Sequence, residues 1–318
     1  MQRVPTAHKQ NYYLQLWRQF FSDSLLHHQP TKRQPTNTNF IPTMNVSTVV
    51  PITSSPIRGS ISDQEDARSY KARAKDILGL SEVSKIDILV PLFSEALGTC
   101  LLVFIGCASC ILWDPEKPPS ILQIAFTFGL AVAALAQVLG PVSGCHVNPA
   151  VTVGMVISGN CSVLKATCFI VCQCSGAIGG AALLRAVSPQ ITSQSGIGQT
   201  QLGDGIEIGQ GILMEAIITF LLVLVVHAVT DTRRKDVIGW APLAIGLTIT
   251  GAHLAAVPVT GSSMNPARTF GPAVILGYWT NQWIYWAGPI AGGLVAGGLY
   301  RMGLRAKNKD DDEASYDF

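Results

Sequence analysis

The chain reads HVNPAVTVG at 146–154 and SMNPARTFG at 263–271, the same Asn-Pro-Ala triplet twice, each followed by a short apolar run. Asn-Pro ordinarily marks a turn, yet both copies interrupt the most apolar regions of the sequence. Pro149 and Pro266 suit the first turn of a helix, where no backbone N–H is needed. Asn148 and Asn265 then fall at the cap position, and Ala150 and Ala267 follow inside. The apolar runs around 148–158 and 265–277 are too short to cross a bilayer. Short runs broken by Pro or Gly at matching places in two halves predict re-entrant half-helices.

Six longer apolar runs surround them: Pro91–Trp113, Ser120–Leu139, Ala166–Leu184, Gly211–Val229, Gly239–Val257 and Trp283–Tyr300. Each is close to the roughly 20 residues that a membrane-crossing helix needs. Charged residues are 13% of the chain, against about 25% in a soluble domain, and the mean hydropathy is +0.34. The expected fold is therefore an all-α membrane protein with six transmembrane helices and two re-entrant half-helices. A net charge of +2 leaves no electrostatic footprint for nucleic acid.

The two triplets stand 117 positions apart, and the same offset relates Gly129 to Gly246, Thr152 to Thr269, Gly154 to Gly271, Gly176 to Gly293 and Gly180 to Gly297. Glu95 and Glu215 pair at an offset of 120. The channel domain, 86–305, thus divides into copies at about 86–185 and 207–305, each of three spans and one half-helix. Three is odd, so the second copy enters the membrane from the opposite side, an inverted repeat. Glycines in GAIGGAAL (176–183) and AGPIAGGLVAGG (287–298) predict close helix contacts.

Residues 1–85 are polar and aperiodic and read as a disordered cytoplasmic tail. Its stretch 11–26 could lie as an interfacial helix or stay unstructured, and Met44 could serve as an alternative start. Residues 306–318 form a short charged tail. Lys71, Arg73, Lys75, Lys85, Lys165, Arg233, Arg234, Lys235, Arg301, Arg305, Lys307 and Lys309 would share one side of the membrane, against Lys117 and Arg185 on the other. By the positive-inside rule both termini are cytoplasmic. The sequons Asn45–Ser47 and Asn160–Ser162 then face the cytoplasm and carry no glycan. Tyr316-Asp317-Phe318 could dock in a PDZ groove by strand addition.

All eight cysteines lie between Cys100 and Cys174, mostly in apolar runs, unlike a secreted disulfide framework. Cys107 and Cys110 form a CxxC without a His or a second CxxC beside it, so they read as helix residues. No nucleophile–base pair or metal set appears, so neither an enzyme nor a cofactor is expected. Glu95 and Glu215 could be proton relays of a transporter, or could hold broken-helix backbone, which needs partners inside a membrane. Their symmetry favours the second role. His146 reads as loop-packing or lumen-lining, and Cys145 beside it as a thiol-reagent site.

Together these motifs resemble the major intrinsic protein family, the aquaporins, over roughly residues 86–305. GCHVNPAVTVG and SMNPARTFGPA carry the resemblance, with FSEALGT (93–99), CQCSGA (172–177) and APLAIGL (241–247). SGCHVNPAVTVGM resembles the insect water-channel branch. The resemblance implies a homotetramer with one pore per subunit. Glu95, Glu215, Gln173 and His146 would support the loops. Phe128, His253, Ser262 and Arg268 would form a selectivity ring in which Arg and His offer donors. Thr269, where glycerol channels carry Asp, and Ala273, Tyr285 and Trp286 match the water-channel pattern. Ser262 departs from the Cys of many animal water channels, which puts mercury block at that position in doubt. The expected function is passive, bidirectional water transport in the plasma membrane, with water and lipid as partners. The alternatives are a same-fold facilitator for glycerol, urea or hydrogen peroxide, a junction protein that conducts little, and an ion-coupled transporter.

Overall fold

The computed structural model describes residues 77–189, 196–234 and 239–306. The stretch 11–26, Met44, the sequon at Asn45, the PDZ motif and most of both tails lie outside the described residues. The described chain is helical, with no strand. Its elements are α1 (Leu80–Val83), a 3-10 turn (Ile86–Ile88), α2 (Leu89–Ala108), α3 (Ile121–Ser143), α4 (Pro149–Ser158), α5 (Val163–Val187), α6 (Ile208–Thr230), α7 (Ala241–Thr260), α8 (Pro266–Leu276) and α9 (Ile284–Leu299), which continues as a π-helical turn, Tyr300–Leu304.

Local chemistry sets most boundaries. The Ser120 hydroxyl accepts from Gln123 N at 3.1 Å to start α3, and Gly144, at φ 90°, ends it. Glu207 and Gln210 form a capping box that starts α6. The first span is shorter than its apolar run: α2 stops at Ala108, where the Ser109 hydroxyl donates to Gly106 O at 2.6 Å, and the apolar residues to Trp113 form turns. At the other end, α1 falls within the stretch expected to be tail. It is tied to the start of α5, where Lys165 meets Glu82 at 2.8 Å and Ser162 donates to Glu82, also at 2.8 Å. Burial raises the Glu82 pKa, but these hydrogen bonds outweigh it, and the carboxyl sits below its ordinary value.

Among the described residues, five helices are long and apolar enough to cross a membrane. The sixth, α9, is 16 residues as an α-helix and gains its reach from the π-helical turn. Large apolar side chains such as Val138 (68% exposed) and Val171 (61% exposed) face outward, an arrangement suited to lipid rather than water.

Packing follows the repeat. α2 lies on α5 as α6 lies on α9, and α2 on α3 as α6 on α7. Each half-helix leans on the third span of the other copy, α4 on α9 and α8 on α5. α3 and α7 meet across the pseudo-twofold. At that crossing a Cβ on Gly246 would stand 2.5 Å from Gly129 O and 2.7 Å from the Ala133 Cβ, whereas Gly251 on the same helix has nothing within 4 Å. Gly246→Val is therefore expected to cost about 1–3 kcal/mol or more through overpacking against backbone. Gly251→Ala is expected to gain up to about 1 kcal/mol in helix propensity. Thermal unfolding of the two variants in detergent checks this, and the midpoints should move in opposite directions.

Candidate functional site

Asn148 and Asn265 cap α4 and α8 from extended backbone, φ −158° and −145°. The Asn148 Oδ1 accepts from Ala150 N at 2.8 Å, and the Asn265 Oδ1 from Ala267 N at 3.0 Å and Arg268 N at 3.2 Å. The two side chains also reach across the repeat: Asn148 Nδ2 donates to Met264 O at 2.9 Å, and Asn265 Nδ2 to Val147 O at 2.8 Å. The half-helices thus meet N-terminus to N-terminus, clasped by their own caps. Each amide has a second N–H, and both residues line a cavity of about 60 Å³. A water needs roughly 10–15 Å³ of such space, so the cavity holds a short file of about four. Its wall is mostly aliphatic, including Leu102, Val132, Val151, Leu222, Val226 and Ile249.

The loops before the half-helices are strained in matching places. Cys145 and Val147 have φ of 48° and 43°, and Ser262 and Met264, their repeat mates, 50° and 56°. Such non-glycine conformations cost about 1–3 kcal/mol each and persist only where surroundings hold them. Two buried carboxylates do the holding. Glu95 Oε1 accepts from the Ser143 hydroxyl (2.6 Å) and His146 N (2.9 Å), and Oε2 from Val147 N (2.7 Å) and Gln173 Nε2 (2.8 Å). Glu215 Oε1 accepts from the Thr260 hydroxyl (2.7 Å) and Ser263 N (2.8 Å), and Oε2 from Met264 N (2.7 Å). Ser143 and Thr260, which sequence reasoning missed, are themselves 117 apart, so the repeat offset was the available signal.

His146 stands edge-on to Phe169, with ring centroids 5.3 Å apart. Its Nδ1 lies 3.1 Å from the Thr152 hydroxyl, which already donates to Asn148 O at 3.0 Å. The hydroxyl therefore accepts from His146 Nδ1–H, and from Gln173 Nε2 at 3.0 Å. His146 packs the loop and also lines the cavity.

Phe128, His253 and Arg268 come together on the same wall. The Phe128 and His253 rings stack with centroids 4.7 Å apart, and the Arg268 guanidinium lies 4.9 Å over the Phe128 ring. Ser262 is buried but not on that wall. Arg268 Nη1 donates to Gly198 O, on the loop between α5 and α6. Gly198, at φ 74°, packs against Cys107, and a Cβ there would stand 2.6 Å from the Cys107 Cβ. Nothing in the spacing of GIGQT pointed to this contact. His253 Nδ1 lies 3.0 Å from Ile249 O and must donate to it, so a neutral ring offers Nε2 as an acceptor. That differs from the donor expected, because the helix carbonyl takes the ring's one N–H. On that wall, His253 Nε2 and Arg268 Nε are buried without protein partners. Buried polar atoms rarely stay unpaired, and on a cavity wall they mark where a polar guest would bond.

Paired half-helices in an inverted repeat around one polar-tipped apolar passage define a membrane pore architecture, and the comparisons agree. Residues 82–300 match the family model described as Major intrinsic protein, and the chain belongs to that family, whose members are not enzymes. It is 45% identical over 210 residues to "Aquaporin-4" of Mus musculus, covering 65% of each chain, so it spans just under two thirds of that relative. It is 43% identical over 220 residues to "Aquaporin-5" of Sus scrofa, covering 69% of this chain and 82% of that one. Its fold matches "X-ray structure of the aquaglyceroporin from Plasmodium falciparum" with a TM-score of 0.63 at 23% identity, over 68% of this chain and 97% of that one.

Cys145 lies on the cavity wall beside the first half-helix and is a free thiol. A bulky thiol reagent attached there would fill much of a cavity of about 60 Å³. Treatment of the protein with a mercurial is expected to lower any flux of water or small solutes through this cavity severalfold, and Cys145→Ser to remove most of that block. Stopped-flow measurement with and without reagent reads the difference.

Proposed function

We propose that the protein is a passive, bidirectional water channel that excludes protons and ions and admits glycerol poorly. The ring of Phe128, His253 and Arg268 carries this reading. Its stacked aromatic pair narrows the passage, its guanidinium opposes cations, and its unpartnered Nε and Nε2 atoms offer a small guest one donor and one acceptor. At the half-helix junction two helix N-termini, each worth about +0.5 charge, and two spare amide N–H groups hold a water through its oxygen. Its protons then point away from the junction on both sides, which interrupts a proton wire, and a cation meets a positive barrier. The aliphatic wall gives few hydrogen bonds to break, so water moves quickly.

In this reading the protein is a plasma-membrane homotetramer with a pore in each subunit and both termini in the cytoplasm. The Lys and Arg bias supports the orientation, and family membership supports the tetramer. Stopped-flow light scattering on proteoliposomes tests the selectivity. A sucrose gradient should give shrinkage much faster than in empty vesicles, and a glycerol gradient should give re-entry near the empty-vesicle rate. Fast glycerol entry would remove the selectivity claim while leaving the pore.

A further inference from the structure

Loops ordinarily run over a protein's surface, because buried backbone must find partners. The loop between α5 and α6 does not: Ile197, Gly198 and Thr200 are buried, Thr200 to 1% exposure. Its partners lie mainly on the second half of the repeat. Gly203 N donates to Val259 O, at the end of α7, at 2.9 Å. Gly198 O accepts from Arg268 of the ring, and the Cys107 thiol points at the same carbonyl from 3.9 Å. The Thr200 hydroxyl lies 2.8 Å from that of Thr269, which follows Arg268 on α8. From there the contacts continue inward. Thr269 Oγ1 lies 2.6 Å from Ser263 Oγ, and Ser263, on the pore wall, donates to Asn265 O at 2.9 Å. Each hydroxyl has one proton to give. Ser263 gives its own to Asn265 O, so Thr269 donates to Ser263, and Thr200 to Thr269. A one-way row of three hydroxyls thus runs from the loop to the cap of α8, and the members of such a row polarise and strengthen one another.

The first half of the repeat is held differently. His146 and Thr152 are the mates of Ser263 and Thr269 at the 117-residue offset, and there Gln173 Nε2 donates to the Thr152 hydroxyl at 3.0 Å. Gln173 stands within the helix α5. The position 117 further on is Ile290, whose side chain has no donor. Thr200 takes the place of that donor, so α8 is braced by a loop where α4 is braced by a helix. Two residues before Thr200, the same loop holds the guanidinium. Arg268 and Thr269 are neighbours too, so a shift of the loop moves both contacts together. We propose that Thr200 is a positioning residue: its hydroxyl, through Thr269, fixes residues 198–200 against α8 and so sets where Arg268 stands in the ring. Selectivity then depends on a residue that is not on the pore wall.

The effect on selectivity rests on the water-channel reading; the placement of Arg268 does not. Thr200→Val removes the hydroxyl at nearly constant shape, and Thr200→Ser keeps it. One lost hydrogen bond shifts a population about fivefold. Thr200→Val is therefore expected to raise the ratio of glycerol to water permeability by about that factor, and Thr200→Ser to restore the ratio. In an Arg268→Val background Thr200→Val should add nothing, because the group it positions is gone. A second readout needs no flux. Labelling of Arg268 by butanedione, followed by peptide mass spectrometry on the full-length protein, should be severalfold faster in Thr200→Val and not in Thr200→Ser. Should Thr200→Val fail to fold, Thr269→Val breaks the same row one link inward and carries the same expectations. A lower melting temperature with the ratio and the labelling both unchanged would overturn the proposal, leaving the loop a structural support alone. Equal behaviour of the Val and Ser variants would overturn it too, as would a further rise in the Arg268→Val background. Faster labelling with no water flux in any variant would uphold the brace and sink the water-channel reading.

Discussion

Glu215→Ala is expected to leave little folded, conducting protein. The carboxylate accepts from the Thr260 hydroxyl and from two backbone N–H groups of the strained loop before α8, and it is fully buried. Alanine would orphan Ser263 N and Met264 N, at about 1–3 kcal/mol each for buried donors. The left-handed conformations of Ser262 and Met264 would lose the clamp that makes them tolerable. A total of about 2–6 kcal/mol compares with a typical stability of about 5–15 kcal/mol. Glu215→Gln retains one acceptor oxygen but turns a donor toward a loop N–H, so it should fall between wild type and alanine. Thermal unfolding in detergent and water flux in vesicles should decline in that order. A Glu215→Ala protein that melts within a few degrees of wild type and conducts normally would show that the loop does not depend on this residue. It would also reopen a proton-relay role for the pair.

The second large effect lies at the ring. Arg268→Val with His253→Ala removes the guanidinium and half of the stacked pair, leaving Phe128 alone on that wall. Glycerol entry should rise by an order of magnitude or more, with water flux little changed. Cation and proton exclusion should weaken as well. A fixed charge about 4 Å from a passing cation contributes about 4 kcal/mol at an effective dielectric near 20, and even a third of that is tenfold in rate. Arg268 also ties the loop at Gly198 to the pore, so Arg268→Lys is the control. It keeps the charge and loses the planar fork, and so should keep most cation exclusion. Radiolabelled glycerol uptake and a pH-sensitive dye inside the same vesicles read both effects. An unchanged glycerol rate in the double variant would place the constriction elsewhere.

The parts of this protein that follow local rules could be read directly from its residues. A cap, a proline and a short apolar run define each half-helix, and α4 and α8 stand where Asn148-Pro149 and Asn265-Pro266 put them. The 117-residue offset carried the inverted arrangement. It reaches even to the paired positive φ angles at Cys145 and Ser262, and at Val147 and Met264. What was not legible depends on distant segments. The end of α2 could not be told from its apolar run, because a Ser109 hydroxyl and not a polarity change ends the helix. The Gly198 contact joins a loop to a residue 70 positions away, and no periodicity records it. The ring was visible only through family resemblance. Whether His253 is donor or acceptor depends on the carbonyl four residues before it, a detail that residue types alone do not hold.

The most direct test of the central claim measures water and proton flux in the same proteoliposomes. An osmotic step followed by light scattering gives the first, and an imposed pH step followed by an internal dye gives the second. The two-half pore predicts water permeability well above empty vesicles, with pH relaxation no faster than theirs. Proton flux rising in step with water flux would contradict the half-helix barrier. Water flux at the empty-vesicle level, in correctly folded protein, would contradict the channel itself.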